Sequence, residues 1–513
     1  MLGNHKRNIN IRRFIKNGEL YEAYISTPHA CFSNSKYTVK YDESIGGGNT
    51  ADAHYACIRI GKKELDRCVQ IYYRKTGSWI NVEYIKDDEY MDAVNTRILA
   101  GEGPDIICAT WLPFWSYADA RLLADIGELI ENDPDIDLND YHVNIIDPLR
   151  VGDGRLYALP CSFYFQDLMV NTPLLEKYGL ERPTDWTIQS VTDMAVTFSD
   201  ITEKVPDVYA GLTVPFDFFE HCVKDEIKLS VDFCKGRSAV ESIPVEVFES
   251  LNLHERIRRG FTLNIISSQA EKKAIYYSGV DKVLLYESNM YLGSLWSAPV
   301  RTYIDYIDFE FLPAPRADMN AGASYIPRLI FCVNRQGNVP KAWEFLKMML
   351  GEEVQNDRDI VLNPVFKSAT EARLSDLRAE LLEVQSAVES GTSFFELVDS
   401  MRIDYSELDS ALEKFILHYK NRVSSLSVPM LNDHRFSASV EAVVARDPNG
   451  RVDAGRVKNE VERIADVYLS ESGGNISRGY TVIYIVAAIA AVILIGLIIS
   501  RMARKKERNA KKG

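Results

Sequence analysis

A run of twenty residues without a charged side chain, from Thr481 to Ser500, is the feature that most constrains this 513-residue chain. At about 1.5 Å per helical residue, the run matches the hydrocarbon core of a bilayer, which is about 30 Å thick. Seven Lys or Arg residues and one acidic residue, Glu507, follow it. Positive charge beside a membrane span marks its cytoplasmic side. The pattern therefore predicts a single transmembrane helix at 480–500 in the cell membrane, a basic cytoplasmic tail at 501–513 and a large extracellular domain.

The N-terminus lacks the export signal that an extracellular domain needs. Its first residues are basic, but no apolar run follows them as it would in a signal peptide. Two explanations remain open: the sequence starts downstream of the true N-terminus, or the protein is tail-anchored and faces the cytoplasm. The charge asymmetry around the predicted span favours the first explanation. Residues 1–55 are accordingly interpreted as the remnant of a longer or mis-started N-terminus.

The composition is typical of one large folded body. Hydrophobic residues make up 46% of the chain and charged residues 26%. A chain of this length can bury a sizeable core, and more than 400 residues normally form two lobes or domains. The net charge is −14, and because the tail carries +6, the residues before it carry about −20. Such a surface repels nucleic acid, which argues against a DNA or RNA partner.

The chain has no motif typical of a metal site or of a common catalytic site. Its eight cysteines lack CxxC pairs and regular spacing, which disfavours zinc sites and disulfide-rich scaffolds, although a pair between Cys222 and Cys234 stays open. HExxH, GxSxG and GxxxxGK[ST] are all absent from the sequence. We therefore expect no cofactor, no metal and no enzymatic activity. A glycoside hydrolase that uses two carboxylates is the less favoured alternative.

Apolar runs and amphipathic segments alternate along the first part of the chain. This alternation is typical of a parallel α/β sheet, in which a helix follows each strand. Amphipathic spacing recurs near the end of the predicted extracellular domain. The predicted strands are 56–61, 81–85 and 105–109, and the predicted helices are 62–74, 89–100, 404–419 and 455–469.

Seven short segments form an ordered series along residues 56–370. They are Leu99–Ile107, Arg121–Ile130, Gly152–Pro160, Val170–Leu180, Pro183–Thr187, Lys341–Leu350 and Asn363–Ala369. In order and spacing the series resembles the family 1 extracellular solute-binding proteins, the maltose-binding-protein-like receptors of carbohydrate ABC transporters. No single segment is diagnostic, but seven matches in the family's order are hard to obtain by chance. Most of these residues build the scaffold; Pro104, for example, ends a helix before the strand that begins at Asp105.

The resemblance implies an α/β, two-lobe periplasmic-binding-protein-like fold (type II), to which the C-terminal transmembrane helix is added. It implies a non-enzymatic receptor that captures a small solute, a sugar or oligosaccharide, for an ABC transporter permease. A ligand sensor or a surface adhesion protein on the same fold is the alternative. The expected binding domain spans 56–470, with lobe 1 at 56–165 and 319–368, lobe 2 at 166–318 and 369–470, and a linker at 471–479.

Aromatic side chains in the loops after strands are the candidate ligand contacts. Ligands of open α/β sheets lie at the carboxyl ends of strands, and the apolar C–H face of a pyranose stacks on aromatic rings. Some of these residues could instead belong to the core, because 11% of the chain is aromatic. The candidates, led by Trp111, are Trp111, Trp115, Tyr164, Tyr291, Trp296 and Tyr325.

Two departures from the family pattern concern the ligand. Leu112 and Pro113 occupy positions where the family places charged, hydrogen-bonding residues. The Gly-Pro-Trp motif that is usual near the later cleft strand has no clean counterpart in residues 285–293. The expected fold is unaffected by these departures, whereas the identity of the sugar stays open.

Overall fold

In the computed structural model of the chain, helix α1 (Lys62–Thr76) illustrates how the sequence pattern builds the domain. Its apolar residues recur every three or four positions, and Leu65, Cys68, Val69 and Tyr72 are buried on one face. A surface helix covers a sheet in this way, with its polar face turned to solvent.

The structure describes part of the chain. The described residues are 13–16, 19–22, 53–58, 62–110, 112–202, 205, 209–212, 218–252, 283–390, 405–431, 433–444 and 452–472. Trp111, the predicted transmembrane helix and the predicted basic tail lie outside them. Among the described helices, none is long and apolar enough to cross a bilayer.

The chain divides into two units, Met1–Thr50 and Ala51–Gly513. In the first unit, strands β1 (Arg13–Lys16) and β2 (Glu19–Glu22) pair in antiparallel fashion. The other described elements belong to the second unit. The lobe boundaries expected from the sequence stay predictions.

The second unit is a mixture of strands and helices. Its described strands are β3 (Ala53–Ile58), β4 (Ile80–Ile85), β5 (Ile106–Cys108), β6 (Leu159–Val170), β7 (Tyr209–Leu212), β8 (Val231–Asp232), β9 (Arg237–Ser238), β10 (Val283–Met290), β11 (Glu310–Pro313), β12 (Ala323–Val333), β13 (Asn363–Pro364) and β14 (Leu426–Pro429). After α1, its described helices are α2 (Asp87–Ala100), α3 (Phe114–Asp119), α4 (Ile126–Glu131), α5 (Val143–Ile146), α6 (Thr172–Lys177), α7 (Ile188–Thr202), α8 (Phe218–Leu229), α9 (Val245–Glu249), α10 (Ala298–Asp305), α11 (Val339–Leu350), α12 (Glu352–Gln355), α13 (Lys367–Glu389), α14 (Leu408–Ser425), α15 (His434–Val444) and α16 (Ala454–Ser472).

Ten of the described strands form one mixed sheet in the second unit. Its main path runs β4-β3-β5-β12-β6-β10-β7, while β11 and β13 pair with β6, and β14 pairs with β12. Strand β3 is parallel to both β4 and β5, in agreement with the predicted alternation of strands and helices. Strand β12 lies between β5 and β6 and is antiparallel to both. The predicted α/β class is confirmed, with a mixed rather than a purely parallel sheet.

Strand β6 connects two parts of this sheet. Its residues 159–164 pair with β12, whereas its residues 165–170 pair with β10 and β11. The core changes along the same strand: Phe163 and Phe165 belong to the larger hydrophobic cluster, and Leu168 and Val170 to a second cluster with α6 and α7. The midpoint of β6 is therefore the junction of the two parts.

Candidate functional site

A narrow polar groove lies beside the junction in β6. Gln166 of β6, His221 and Asp225 of α8, and Glu287 of β10 line it. Strands β7 and β10 are parallel, and α8 is the helix that follows β7. The groove thus lies towards the carboxyl ends of two parallel strands, the edge at which open α/β sheets bind ligands.

His221 bridges the two carboxylates that face the groove. Its Nε2 atom lies 3.1 Å from Oδ2 of Asp225 and 3.6 Å from Oε1 of Glu287. The Gln166 amide donates a hydrogen bond to Oε1 of the same glutamate. Nζ of Lys228 lies 3.5 Å from Oδ1 of Asp225. Side chains from three elements that are distant in sequence are therefore held in one hydrogen-bonded cluster.

The electrostatics of the cluster favour protonation of its histidine. Burial alone would lower the pKa of His221, but the hydrogen bond to Glu287 and the negative charges of Asp225 and Glu287 outweigh it and raise the pKa. Burial raises the pKa of Asp225, although His221 and Lys228 oppose this shift. The charge of the groove consequently depends on the protonation of His221.

The carboxylate beside Asp225 is already neutralised inside the protein. Nε of Arg316 lies 2.7 Å from Oε2 of Glu226, and both side chains are almost completely buried. The same guanidinium donates to the Gly322 carbonyl at 3.3 Å, and Ser230 donates to Glu226 at 3.3 Å. This ion pair forms part of the groove wall and leaves Asp225 and Glu287 as the carboxylates nearest a solute.

Tyr164 is the predicted contact that the structure places next to this groove. It lies on β6, two residues before Gln166, and it is partly buried. Burial raises the pKa of its phenol; Arg328 opposes the shift, and the charges of Asp225 and Glu287 add to it. The two groove carboxylates are thus close enough to act on the Tyr164 hydroxyl.

Trp115 and Tyr325 are placed in the core. The Trp115 side chain is 4% exposed and stacks on Phe233 with ring centroids 4.8 Å apart. Tyr325 is 0% exposed, and its hydroxyl donates to the Ile145 carbonyl at 2.7 Å. In this conformation neither side chain is open to a ligand, because the surrounding core covers both.

Tyr291 and Trp296 lie just after β10 and are partly buried. The Trp296 ring packs against the large hydrophobic cluster and lies 5.9 Å from the guanidinium carbon of Arg301. Trp111 lies outside the described residues. Tyr164 lies on β6 near the groove, but neither it nor the other described aromatic candidates is among the residues that line the groove.

The polar residues of the groove are not among the ligand contacts predicted from the sequence. Gln166 and Glu287 are polar residues in strands that are buried over most of their length, and His221 and Asp225 stand four positions apart on one helix. Polar side chains in a buried strand and an i, i+4 pair on a helix face are signals that can be read locally. That these side chains meet in one place cannot be read from local sequence, because Gln166 and Glu287 are 121 positions apart.

The groove is small in this conformation. Its free volume is about 30 Å³, far below the roughly 300–1,000 Å³ of typical ligand pockets. A sugar therefore fits only after the groove widens.

Among the described residues, no group of three or more His, Cys, Asp or Glu side chains is arranged to hold a metal ion. Cys234 is a free thiol, so it forms no disulfide with Cys222.

Residues 60–217, which include β4, β5 and all of β6, match the family model described as bacterial extracellular solute-binding protein. The matched segment ends just before α8 and contains Tyr164 and Gln166 of the groove. This part of the α/β domain is thus similar to the bacterial extracellular solute-binding proteins. The resemblance read from the sequence motifs is confirmed.

Solved structures share the fold of this chain. An ABC substrate-binding protein from Listeria monocytogenes in complex with cycloalternan is 16% identical, with a TM-score of 0.51, over 82% of this chain and 99% of that one. The sugar-binding protein MalE from Xanthomonas citri is 14% identical, with a TM-score of 0.52, over 82% and 97%. A putative oligosaccharide periplasmic-binding protein from Synechococcus is 15% identical, with a TM-score of 0.51, over 82% and 99%. At these identities the likeness shows the periplasmic-binding-protein-like fold.

No curated protein matches the sequence at a significant level.

Proposed function

We propose that this solute-binding protein captures a sugar or oligosaccharide between two lobes and delivers it to an ABC transporter permease. The observation that carries the proposal is the groove at the β6 junction, where Gln166, Asp225 and Glu287 meet beside Tyr164. Solved structures of the same fold include a cycloalternan complex and a protein named for sugar binding.

The chemistry of the groove suits a neutral polyhydroxylated solute. Carboxylates accept hydrogen bonds from hydroxyl groups, and the Gln166 amide both donates and accepts. The Tyr164 ring supplies an apolar surface for the C–H face of a pyranose. An anionic solute would be repelled by Asp225 and Glu287, and an apolar solute would offer no group to the free lone pairs of the two carboxylates.

The predicted segment 481–500 supplies the membrane tether in this proposal. A short linker after the last described helix, α16, would keep the binding domain near the bilayer and the permease. The expected lobes, 56–165 with 319–368 and 166–318 with 369–470, place the β6 junction at a lobe boundary. The aromatic contacts proposed from the sequence, Trp111 included, would then act as the groove widens.

Isothermal titration calorimetry on the full chain in detergent micelles tests the proposal, with maltose, maltotriose and a cyclic α-glucan as probes. We expect one of these sugars to bind with one-to-one stoichiometry. The Glu287→Gln variant should weaken binding at least tenfold, because a hydrogen bond to a charged group contributes about 1.5–3 kcal/mol. Glu246 is exposed on α9, so Glu246→Gln is the control and should bind like the wild type. Hydrolysis of the sugar, or no binding of any probe, would overturn the proposal.

A further inference from the structure

A second concave surface lies on the outer face of α1, away from the residues that line the groove. Arg67, Gln70, Tyr73 and Arg74 of α1, together with Trp79, line it; these five residues are called the α1 surface site. Its volume is about 430 Å³, which is within the range of small-molecule sites. Spacings of three, four and seven residues place Arg67, Gln70 and Arg74 on one side of the helix.

Two aromatic side chains are exposed together at this site. Tyr73 and Trp79 are each 49% exposed, and their rings meet edge to face with centroids 5.6 Å apart. Among the described residues, several large hydrophobic side chains are exposed, and Tyr73 and Trp79 are the aromatic ones. Edge-to-face contact holds two rings in a defined relative orientation. Both residues are therefore about half exposed, and their rings are held in a defined orientation to each other.

The charged groups around the α1 surface site balance each other. Arg67 lies 2.5 Å from Asp357 and 3.5 Å from Asp359, while Arg74 and Lys75 lie 3.2 Å and 3.0 Å from Glu353. Three cations thus face three carboxylates. A net-neutral surface has no particular attraction for an anionic lipid headgroup or an acidic peptide. It still presents N–H donors and carboxylate acceptors at fixed positions.

We propose that the α1 surface site binds a pyranose unit of a neutral polysaccharide, separately from the solute groove. The C–H face of the sugar stacks on the Trp79 or Tyr73 ring, which is the contact that such half-exposed rings favour. The Gln70 amide and the guanidinium groups of Arg67 and Arg74 bond its hydroxyl groups. Such a site would hold a polysaccharide chain against the receptor without occupying the groove. This inference does not depend on capture of a solute in the groove.

Native affinity electrophoresis of the full chain in detergent micelles tests this site. Gels containing amylopectin, barley β-glucan or xyloglucan are compared with a gel without polysaccharide. We expect at least one polysaccharide to slow the wild type at least twofold relative to the blank gel. Trp79→Ala should abolish most of this retardation, and Trp79→Phe should retain much of it because the stacking surface remains. Leu382 is 65% exposed on α13, so Leu382→Ala is the matched control and should migrate like the wild type.

The outcomes separate this site from the groove and from a membrane contact. Glu287→Gln should remain retarded, even though it is expected to lose calorimetric binding of small sugars. The proposal would be overturned if none of the three polysaccharides slowed migration of the wild type. It would also be overturned if the wild type and Trp79→Ala were slowed equally. Binding to vesicles of phosphatidylglycerol and phosphatidylcholine that disappears in Trp79→Ala, without polysaccharide retardation, would assign the surface to the membrane instead.

Discussion

At the scale of single residues, burial decides what a side chain can do. Two of the aromatic candidates, Trp115 and Tyr325, are covered by the core, while Gln166, His221 and Glu287 keep polar atoms at the groove. Residue type alone does not separate these outcomes, because tryptophan and tyrosine suit both a core and a sugar. A buried polar residue is more informative, since it must find partners to be tolerated.

We predict that His142 makes the folded protein sensitive to acid. Its ring lies 3.1 Å from Thr370 Oγ1 and meets Phe163 edge to face. Burial, followed by the positive charge of Lys367, lowers the pKa of His142 to about 4, although Glu371 opposes the shift. The unfolded chain, with a histidine pKa of about 6.5, binds more protons between about pH 6.5 and pH 4. Stability therefore falls as the pH falls through this window.

Urea unfolding at pH 7 and at pH 4.5 measures this effect. The contribution of His142 to the loss should be on the order of 2–3 kcal/mol, at 1.36 kcal/mol per pKa unit. His142→Gln should lose less stability between the two pH values than the wild type does. His434 is exposed at the start of α15, and His434→Gln should retain the wild-type loss. Identical pH dependence in wild type and His142→Gln would show that this ring does not carry the effect.

At the scale of elements, α14 is attached to the β6 junction by a buried charge. Asp167 is 0% exposed; Nε of Arg422 lies 2.7 Å from its Oδ1 atom, and Nε2 of His418 lies 2.6 Å from its Oδ2 atom. The Arg422 guanidinium also lies 5.2 Å from the centre of the Phe165 ring. The helix thus neutralises a carboxylate on the strand where the two parts of the sheet meet.

Arg422→Met should destabilise the protein by about 3–5 kcal/mol, because it leaves a buried carboxylate without its main cation. The double variant Arg422→Met, Asp167→Leu should recover much of that loss, since no buried charge remains. Lys420 is on the same helix but forms an exposed ion pair with Glu371, and Lys420→Met should change stability by about 0–1 kcal/mol. Urea denaturation curves measure all three. Equal losses for Arg422→Met and Lys420→Met would rule out a structural role for the buried pair.

At the scale of the whole molecule, the predicted membrane span determines where the groove faces. The described residues end at α16. The membrane span and the basic tail predicted after it are tested by measuring which side of the membrane each region faces. If the binding domain is extracellular, protease added to intact cells should digest it and leave an epitope at the C-terminus protected. Permeabilised cells serve as the control, because there both regions should be digested. Loss of the C-terminal epitope from intact cells would reverse the orientation and favour a cytoplasmic, tail-anchored protein.

Much of the local secondary structure follows directly from residue spacing along the chain. Helices expected at 404–419 and 455–469 are α14 and α16, and the strands expected at 81–85 and 105–109 are β4 and β5, because three- to four-residue and two-residue spacings are encoded locally. Even Gly101, in the first motif of the series, has the left-handed φ of 75° that ends α2.

The order of the central strands and the set of residues that line the groove depend instead on contacts between distant parts of the chain. Strand β12 lies antiparallel between β5 and β6 although it follows both by more than 150 residues. Residues 165–170 of β6 pair instead with β10, and this pairing brings Gln166 and Glu287 into contact. No local spacing encodes such pairings, because they depend on which distant surfaces bury the most apolar area together and still satisfy every backbone hydrogen bond.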